Sequence, residues 1–212
     1  MREPGTPEAQ RAPTILVLDL AGVVFHFEHS HRLETMAKET GLSAEEVDQR
    51  FWGSGFSAAC DAGENSLDEA LAYLRSHMEW NGTDADLEAL WCSAYWPDEE
   101  VIARITSYGI PLAGFTNNGP IEDHWMRETY PEIFTLLGHT WFAHTLKVNK
   151  PAAAAYEAVA RGLNRRPAEI AFIDDSQKNV DGALAAGWHA DLYSDPDALD
   201  ASIYRWFVRG HE

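Results

Sequence analysis

The sequence predicts an α/β fold: a three-layer, Rossmann-like parallel sheet with a small α-helical cap inserted into it. Three observations carry that expectation. Short, continuous apolar runs recur along the chain, as strands buried on both faces require. Helical patterns with recognisable starts and stops separate most of those runs, and such alternation builds parallel sheets. Residues 29–96 break the rhythm, because strand signals vanish there and apolar residues recur at helical spacing only.

The first strand is expected at residues 14–18 (TILVL), ending at Asp19 with Gly22 close behind. In the helical block, Ser43 and Glu46 stand as N-cap and third helical residue of a capping box. Ser66 opens a similar turn ahead of Leu67, Leu71 and Leu74, which share one helical face. Residues 84–95 form a third amphipathic stretch. After Pro97 the alternation returns, with a helix over 98–107 stopped by Gly109 and a strand at 111–115 running into Thr116-Asn117-Asn118-Gly119. A helix is expected over 121–128, a strand over 140–143, and a helix over 151–162 with Pro151 in its first turn. A strand at 169–173 leads into Asp174-Asp175, a helix over 177–186 closes at Gly187, and 188–193 supply a fifth strand. The expected domains are an α/β core of residues 14–28 and 97–206, a helical cap of 29–96, and a loose tail of 1–13.

With 212 residues, 45% of them hydrophobic, the chain can bury a substantial core. No apolar run approaches the ~20 residues that span a membrane. Residues 1–13 lack the apolar stretch of a signal peptide, so a cytoplasmic location is expected. The two cysteines, Cys60 and Cys92, fit buried thiols in a reducing compartment better than a disulfide framework or a zinc site. Asn81-Gly82-Thr83 matches a glycosylation acceptor but carries no weight without a secretory signal. A formal charge of −18 argues against nucleic acid and anionic membranes as partners. It would also repel a phosphate ester, so a phosphate site here must hold its own positive charge.

Ligands of open parallel sheets sit beyond the carboxyl ends of the strands. The first strand ends at Asp19, the second at Thr116 and the fourth at Asp174-Asp175, while Lys150 precedes a helix. Each alone is unremarkable, since an Asp after a strand is commonly a turn former and Thr-Asn-Asn-Gly is an ordinary turn. Together, at equivalent topological points, they make a site.

These residues resemble the motifs of the haloacid-dehalogenase-like hydrolase superfamily across residues 15–197. Motif I is Val17-Leu18-Asp19-Leu20-Ala21-Gly22-Val23-Val24, and motif II is Gly114-Phe115-Thr116-Asn117-Asn118. Motif III is Lys150-Pro151 with Tyr156. Motif IV is Phe172-Ile173-Asp174-Asp175-Ser176 with Asn179 and Asp181-Gly182-Ala183. Among the branches, the pattern is most similar to glucose-1-phosphate-phosphatase-like members and to the phosphatase domain fused to soluble epoxide hydrolases. The resemblance implies a Mg²⁺-dependent phosphatase for a small phosphorylated metabolite, a sugar phosphate being favoured, that works through an aspartyl-phosphate. Asp19 would be the nucleophile. Asp19, Asp175 and the Ala21 carbonyl would hold the metal, with Asp174 a direct or water-mediated ligand. Thr116 and Asn117 would bind phosphate oxygens, Lys150 would supply charge, and Asn179 would orient Lys150 or the carboxylates.

One departure stands out. Most phosphatases of this superfamily carry a second Asp two residues after the nucleophile, as general acid and base, and here that position is Ala21. Two other functions therefore stay open: 2-haloacid dehalogenase chemistry, which needs neither metal nor second acid, and a non-catalytic metal- or phosphate-binding module. His26, His29 and His31 read as a polar hinge more readily than as a substitute acid, their spacing fitting no metal motif. His124 and Trp125 could line a cleft or simply belong to a helix. Phe51-Trp52-Gly53-Ser54-Gly55-Phe56 reads as an aromatic turn, either facing the site or plugging the cap.

Overall fold

A computed structural model describes residues 12–209, so the expected tail lies, except for Ala12 and Pro13, outside the described residues. Five parallel strands form the main sheet in the order β5-β4-β1-β6-β7. They are β1 Ile15–Leu18, β4 Leu112–Thr116, β5 His139–Phe142, β6 Ile170–Asp174 and β7 His189–Leu192. A two-stranded antiparallel ribbon pairs β2 Phe25–Phe27 with β3 Tyr95–Pro97.

Successive side chains of a strand point to opposite faces, and the apolar runs use both. Ile15 and Val17 join one core with Phe115, Phe172 and the helices α10 Ala153–Leu163 and α11 Gln177–Ala185. Leu16 and Leu18 join the other, on the side of α6 Glu99–Ser107, α7 Pro120–Thr129, α8 Pro131–Leu137 and α12 Pro196–Ile203. The result is the expected three-layer α/β sheet. Its chain order turns about β1, which is flanked by β4 and β6. That is the switch point where a crevice opens beyond the carboxyl ends.

Between β2 and β3 the chain is helical: α1 His29–Thr40, α2 Ala44–Asp48, α3 Phe56–Asp61, α4 Leu67–His77 and α5 Asp84–Trp91. The capping boxes at Ser43/Glu46 and Ser66/Glu69 are formed, and a third joins Thr83 to Asp86. Each satisfies two backbone N–H groups that a helix start leaves open.

The structure differs from expectation in several elements. The β2–β3 ribbon, α8 and the short α9 Ala143–Leu146 were not signalled. Helix α10 begins at Ala153, so Pro151 precedes its first turn, and the Lys150–Pro151 bond is cis. Phe51 and Trp52 lie in a π-helical turn, Gln49–Gly53, and the break falls at Gly55, whose φ of +84° suits glycine. Phe51 is buried and meets Trp91 edge to face with ring centroids 6.0 Å apart, and Phe56 stacks on Tyr73 with centroids 4.0 Å apart. Both rings are packing residues, as in the plug reading.

Helices α4 and α5 rest on α7. Trp91 Nε1 donates to Glu122 Oε1 (2.7 Å), and His124 Nδ1 lies 2.7 Å from Glu88 Oε2. Lys147 Nζ donates to the carbonyl of Gly63. The hydrogen bond to Glu88 raises the His124 pKa above the ordinary imidazole value. A raised folded pKa stabilises fully below the unfolded value, about 6.5, and the gain is lost as pH rises through the folded value. The melting temperature should fall as pH rises from about 6.5 through the folded value and level off beyond it, and His124→Gln should flatten the fall. Since His124 is half exposed, the difference should be about 2–4 °C, read by thermal melts from acid to mildly alkaline pH.

Candidate active site

The site is assembled at the carboxyl ends of the three central strands. In register, Leu18 of β1 lies between Gly114 of β4 and Ile173 of β6. Asp19 N donates to the carbonyl of Ile173 (2.9 Å), which brings Asp19 beside Asp174. Beyond Asp19 the chain turns back at once: Phe25 N donates to Leu20 O (2.8 Å) and Gly22 N to Phe25 O (2.7 Å). Gly22 is required twice over. Its φ is +81°, and a Cβ there would come within 2.3 Å of Asp175 Oδ2. Any other residue would push Asp175 out of the cluster.

Lys150 is 3% exposed and sits at the centre. Its ammonium meets Asp19 Oδ1 at 3.0 Å, Asp174 Oδ2 at 2.7 Å and the Phe115 carbonyl at 2.8 Å. Its backbone is clamped by Asn117, whose Nδ2 donates to Lys150 O and whose Oδ1 accepts from Lys150 N, each at 2.9 Å. Asp174 is fully buried and accepts from Asn179 Nδ2 (3.0 Å) and from Ser176 N (2.9 Å). Asn179 therefore orients a carboxylate, one of the two roles weighed for it. Thr116, at the end of β4, is 1% exposed, and its Oγ1 donates to Asn118 Oδ1 at 2.5 Å.

Asp19, Asp174 and Asp175 each offer an oxygen, and these atoms lie within 4.8 Å of one another. Three carboxylates thus face one ammonium. Burial pushes the Asp19 pKa up to about 7, against the pull of Lys150 and with help from Asp174 and Asp175. Burial and Asp174 also raise Asp175, opposed by Lys150. A surplus of hard oxygen donors at close range fits a divalent cation such as Mg²⁺, which would relieve that repulsion.

The structure thus brings Asp19, Lys150, Asp174 and Asp175 into one cluster, with Thr116 and Asn117 on the adjoining strand end. Ala21 lies on the same turn, half buried and bridged to Phe25. The three histidines sit apart on the hinge ribbon and α1: His26 is 3.6 Å from Asp98, His29 is 3.2 Å from Asp48, and His31 meets the Trp96 ring. His124 engages Glu88, and Trp125 packs on Tyr130. Sequence reasoning gave no role to Asn118, Tyr95 and Arg32, which continue the polar chain from Thr116. The TNNG turn signals Asn118, but nothing local signals the other two.

A family model described as haloacid dehalogenase-like hydrolase matches residues 13–187. Among curated proteins, Phosphatase MT3486 of Mycobacterium tuberculosis is 24% identical over 185 residues, 84% of this chain and 85% of the relative. Among solved structures, the HAD family enzyme BT-2542 of Bacteroides thetaiotaomicron, in complex with magnesium and inorganic phosphate, superposes with a TM-score of 0.74. It is 20% identical over 86% of this chain and 94% of its own. A predicted HAD-like family hydrolase of Porphyromonas gingivalis also gives 0.74, at 19% identity over 92% and 97% of the two chains. At these identities the structures speak for the fold, and the family match speaks for the chemistry class. The chain belongs to the haloacid dehalogenase-like hydrolases.

Proposed function

We propose that this hydrolase is a Mg²⁺-dependent phosphatase of small phosphorylated metabolites, with sugar phosphates favoured, acting in the cytoplasm. The observation that carries the reading is the Asp19–Lys150–Asp174–Asp175 cluster, in which a buried ammonium and a carboxylate cage meet at one strand end. The similarity to a protein named a phosphatase, and to a structure described with magnesium and phosphate, supports it. Residues 14–28 and 97–206 would form the core, and residues 29–96 the cap.

Asp19 attacks phosphorus, and the leaving alkoxide departs as the aspartyl-phosphate forms, which divides one hard displacement into two easier ones. Lys150 supplies a point charge for the transferring group, and Thr116 with the Asn117 backbone N–H holds phosphoryl oxygens, so developing charge meets a fixed cation and fixed donors. Asp19, Asp175, the Ala21 carbonyl and Asp174, directly or through water, would hold Mg²⁺. When bound, the ion neutralises carboxylate and phosphoryl charge. Dehalogenase chemistry is disfavoured by the carboxylate cage, which would face a halide leaving group with surplus negative charge. Asp19→Asn keeps the shape but removes the attacking charge. Phosphate release should drop below about a hundredth of wild type, and EDTA should abolish it. Full release in EDTA defeats this reading.

Because the Asp19 pKa is raised to about 7, a proton competes with Mg²⁺ below that pH. Apparent affinity should rise about tenfold per pH unit up to pH 7 and level off above it. Calorimetry in buffers of different ionisation enthalpy should show proton release on binding. A pH-independent affinity would mean that Asp19 is not a ligand.

Ala21 can neither donate nor accept a proton, so the leaving oxygen carries its charge through the transition state. A general acid is typically worth ~10²–10⁴ in rate, and its loss matters least for acidic leaving groups. Sugar 1-phosphates, acetyl phosphate and p-nitrophenyl phosphate should therefore surpass 6-phosphates and glycerol phosphate in kcat/KM. Ala21→Asp should narrow the gap. Equal handling of 1- and 6-phosphates by the wild type would show that another group supplies the proton.

A further inference from the structure

Arg32, on the first helix after the hinge ribbon, is 2% exposed, and its Nε and Nη2 have no partner among the described residues. Four rings surround its guanidinium: Phe27 at 5.6 Å, Trp52 at 5.1 Å, Trp91 at 5.3 Å and Tyr95 at 5.1 Å. Burial opposes its charge, and the Glu122 carboxylate favours it. The guanidinium, a donor-only cation, lies directly beside Tyr95. From Tyr95 the chain runs inward: Asn118 Nδ2 donates to Tyr95 Oη at 2.9 Å, and Thr116 Oγ1 donates to Asn118 Oδ1 at 2.5 Å. Tyr95 and Asn118 are each 6% exposed.

In that orientation the chain conflicts with its own ends. The single proton of Thr116 is spent on Asn118, so it cannot be given to a phosphate. The hydroxyl proton of Tyr95 has no acceptor among the described residues, because Arg32 only donates. A half-turn of the Asn118 amide reverses every bond and removes both conflicts. Tyr95 then donates to Asn118 Oδ1 and Asn118 Nδ2 to Thr116, leaving the Thr116 O–H to point outward and the Tyr95 lone pairs to face the Arg32 cation.

We propose that Arg32 and Tyr95 are positioning residues that act through Asn118 to turn the Thr116 hydroxyl into a phosphate donor. Their placement on the cap side and in the hinge strand ties the cap to that orientation. This rests on Thr116 being a phosphate ligand, as in the reading above. The probe is inorganic phosphate, titrated calorimetrically into the Mg²⁺-loaded protein. Tyr95→Phe should weaken phosphate binding about tenfold or more, leave Mg²⁺ affinity unchanged, and raise KM more than it lowers kcat. On a Thr116→Val background the same substitution should have no further effect, which a merely structural role would not produce. If Tyr95→Phe does not fold, Arg32→Lys, which keeps a donor-only cation, should stay within about threefold of wild type while Arg32→Met loses affinity like Tyr95→Phe. Equal phosphate affinity in Tyr95→Phe and wild type, or in Arg32→Met and wild type, overturns the relay alone. Failure of the wild type to bind phosphate overturns the relay and the phosphatase reading together.

Discussion

The buried ammonium of Lys150 is the constraint around which the carboxyl end of the sheet is organised. It has three protons and three acceptors: Asp19, Asp174 and the Phe115 carbonyl. Those acceptors come from the ends of β1, β6 and β4, so one charge ties three adjacent strands. Phe115 and Phe172 lie 5.0 and 5.1 Å from the ammonium, adding a quadrupolar contact that water would otherwise weaken. Removing Lys150 would leave two buried carboxylates without compensation, which is far costlier than never burying the group. The Asn117 clamp on the Lys150 backbone follows from the same need, because a buried cation is tolerable only where its position is fixed.

That constraint explains why so much of the site could be read in the sequence. Asp19, Thr116, Asp174 and Asp175 each end or follow a short apolar run, and Lys150-Pro151 stands ahead of an alanine-rich helix. Strand ends and helix starts are local properties, and the parallel sheet aligns them without further information. Gly22 belongs with them, since a glycine so soon after the strand end marks the sharp turn beyond Asp19.

Other parts were not legible, for reasons that are equally physical. The β2–β3 ribbon joins Phe25-His26-Phe27 to Tyr95-Trp96-Pro97, two three-residue strands separated by the entire helical block. Neither is long enough to show alternation, and their pairing exists only once the helices have folded between them. Helix α8 is short and opens on Pro131 directly after α7, so no loop signal parts the two. Arg32 lies in a stretch of charged and polar residues, HSHRLETMAKET, where a solvated face is the ordinary expectation. Its burial is decided by Phe27, Trp52, Trp91 and Tyr95, which come from four different parts of the chain. The Phe51–Phe56 turn leaves two readings open in the sequence, one facing the site and one plugging the helices, because only the folded structure shows that Phe51 and Phe56 are buried among the helices.

The charge balance of the molecule depends on where charges sit more than on how many there are. With a net charge of −18, the surface should repel every phosphate ester. Exposed carboxylates, however, act through water and salt, and beyond about 10 Å their field is largely screened at ordinary ionic strength. Lys150 and Arg32 are 3% and 2% exposed, so they act through a medium of low effective dielectric, where a unit charge at a given distance counts several times more. Lys150 reaches the site directly beside Asp19, and Arg32 reaches it by polarising Tyr95, Asn118 and Thr116. A local anion site within this acidic protein would therefore need both buried cations together with a bound Mg²⁺, since Asp19, Asp174 and Asp175 outnumber Lys150. The same surface would oppose the retention of free phosphate once it leaves that short range. The acidic exterior and the buried cations thus work at different ranges: on the phosphatase proposal, Lys150, Arg32 and a bound Mg²⁺ would hold the phosphoryl group at contact distance, and the exterior would limit how far that attraction extends.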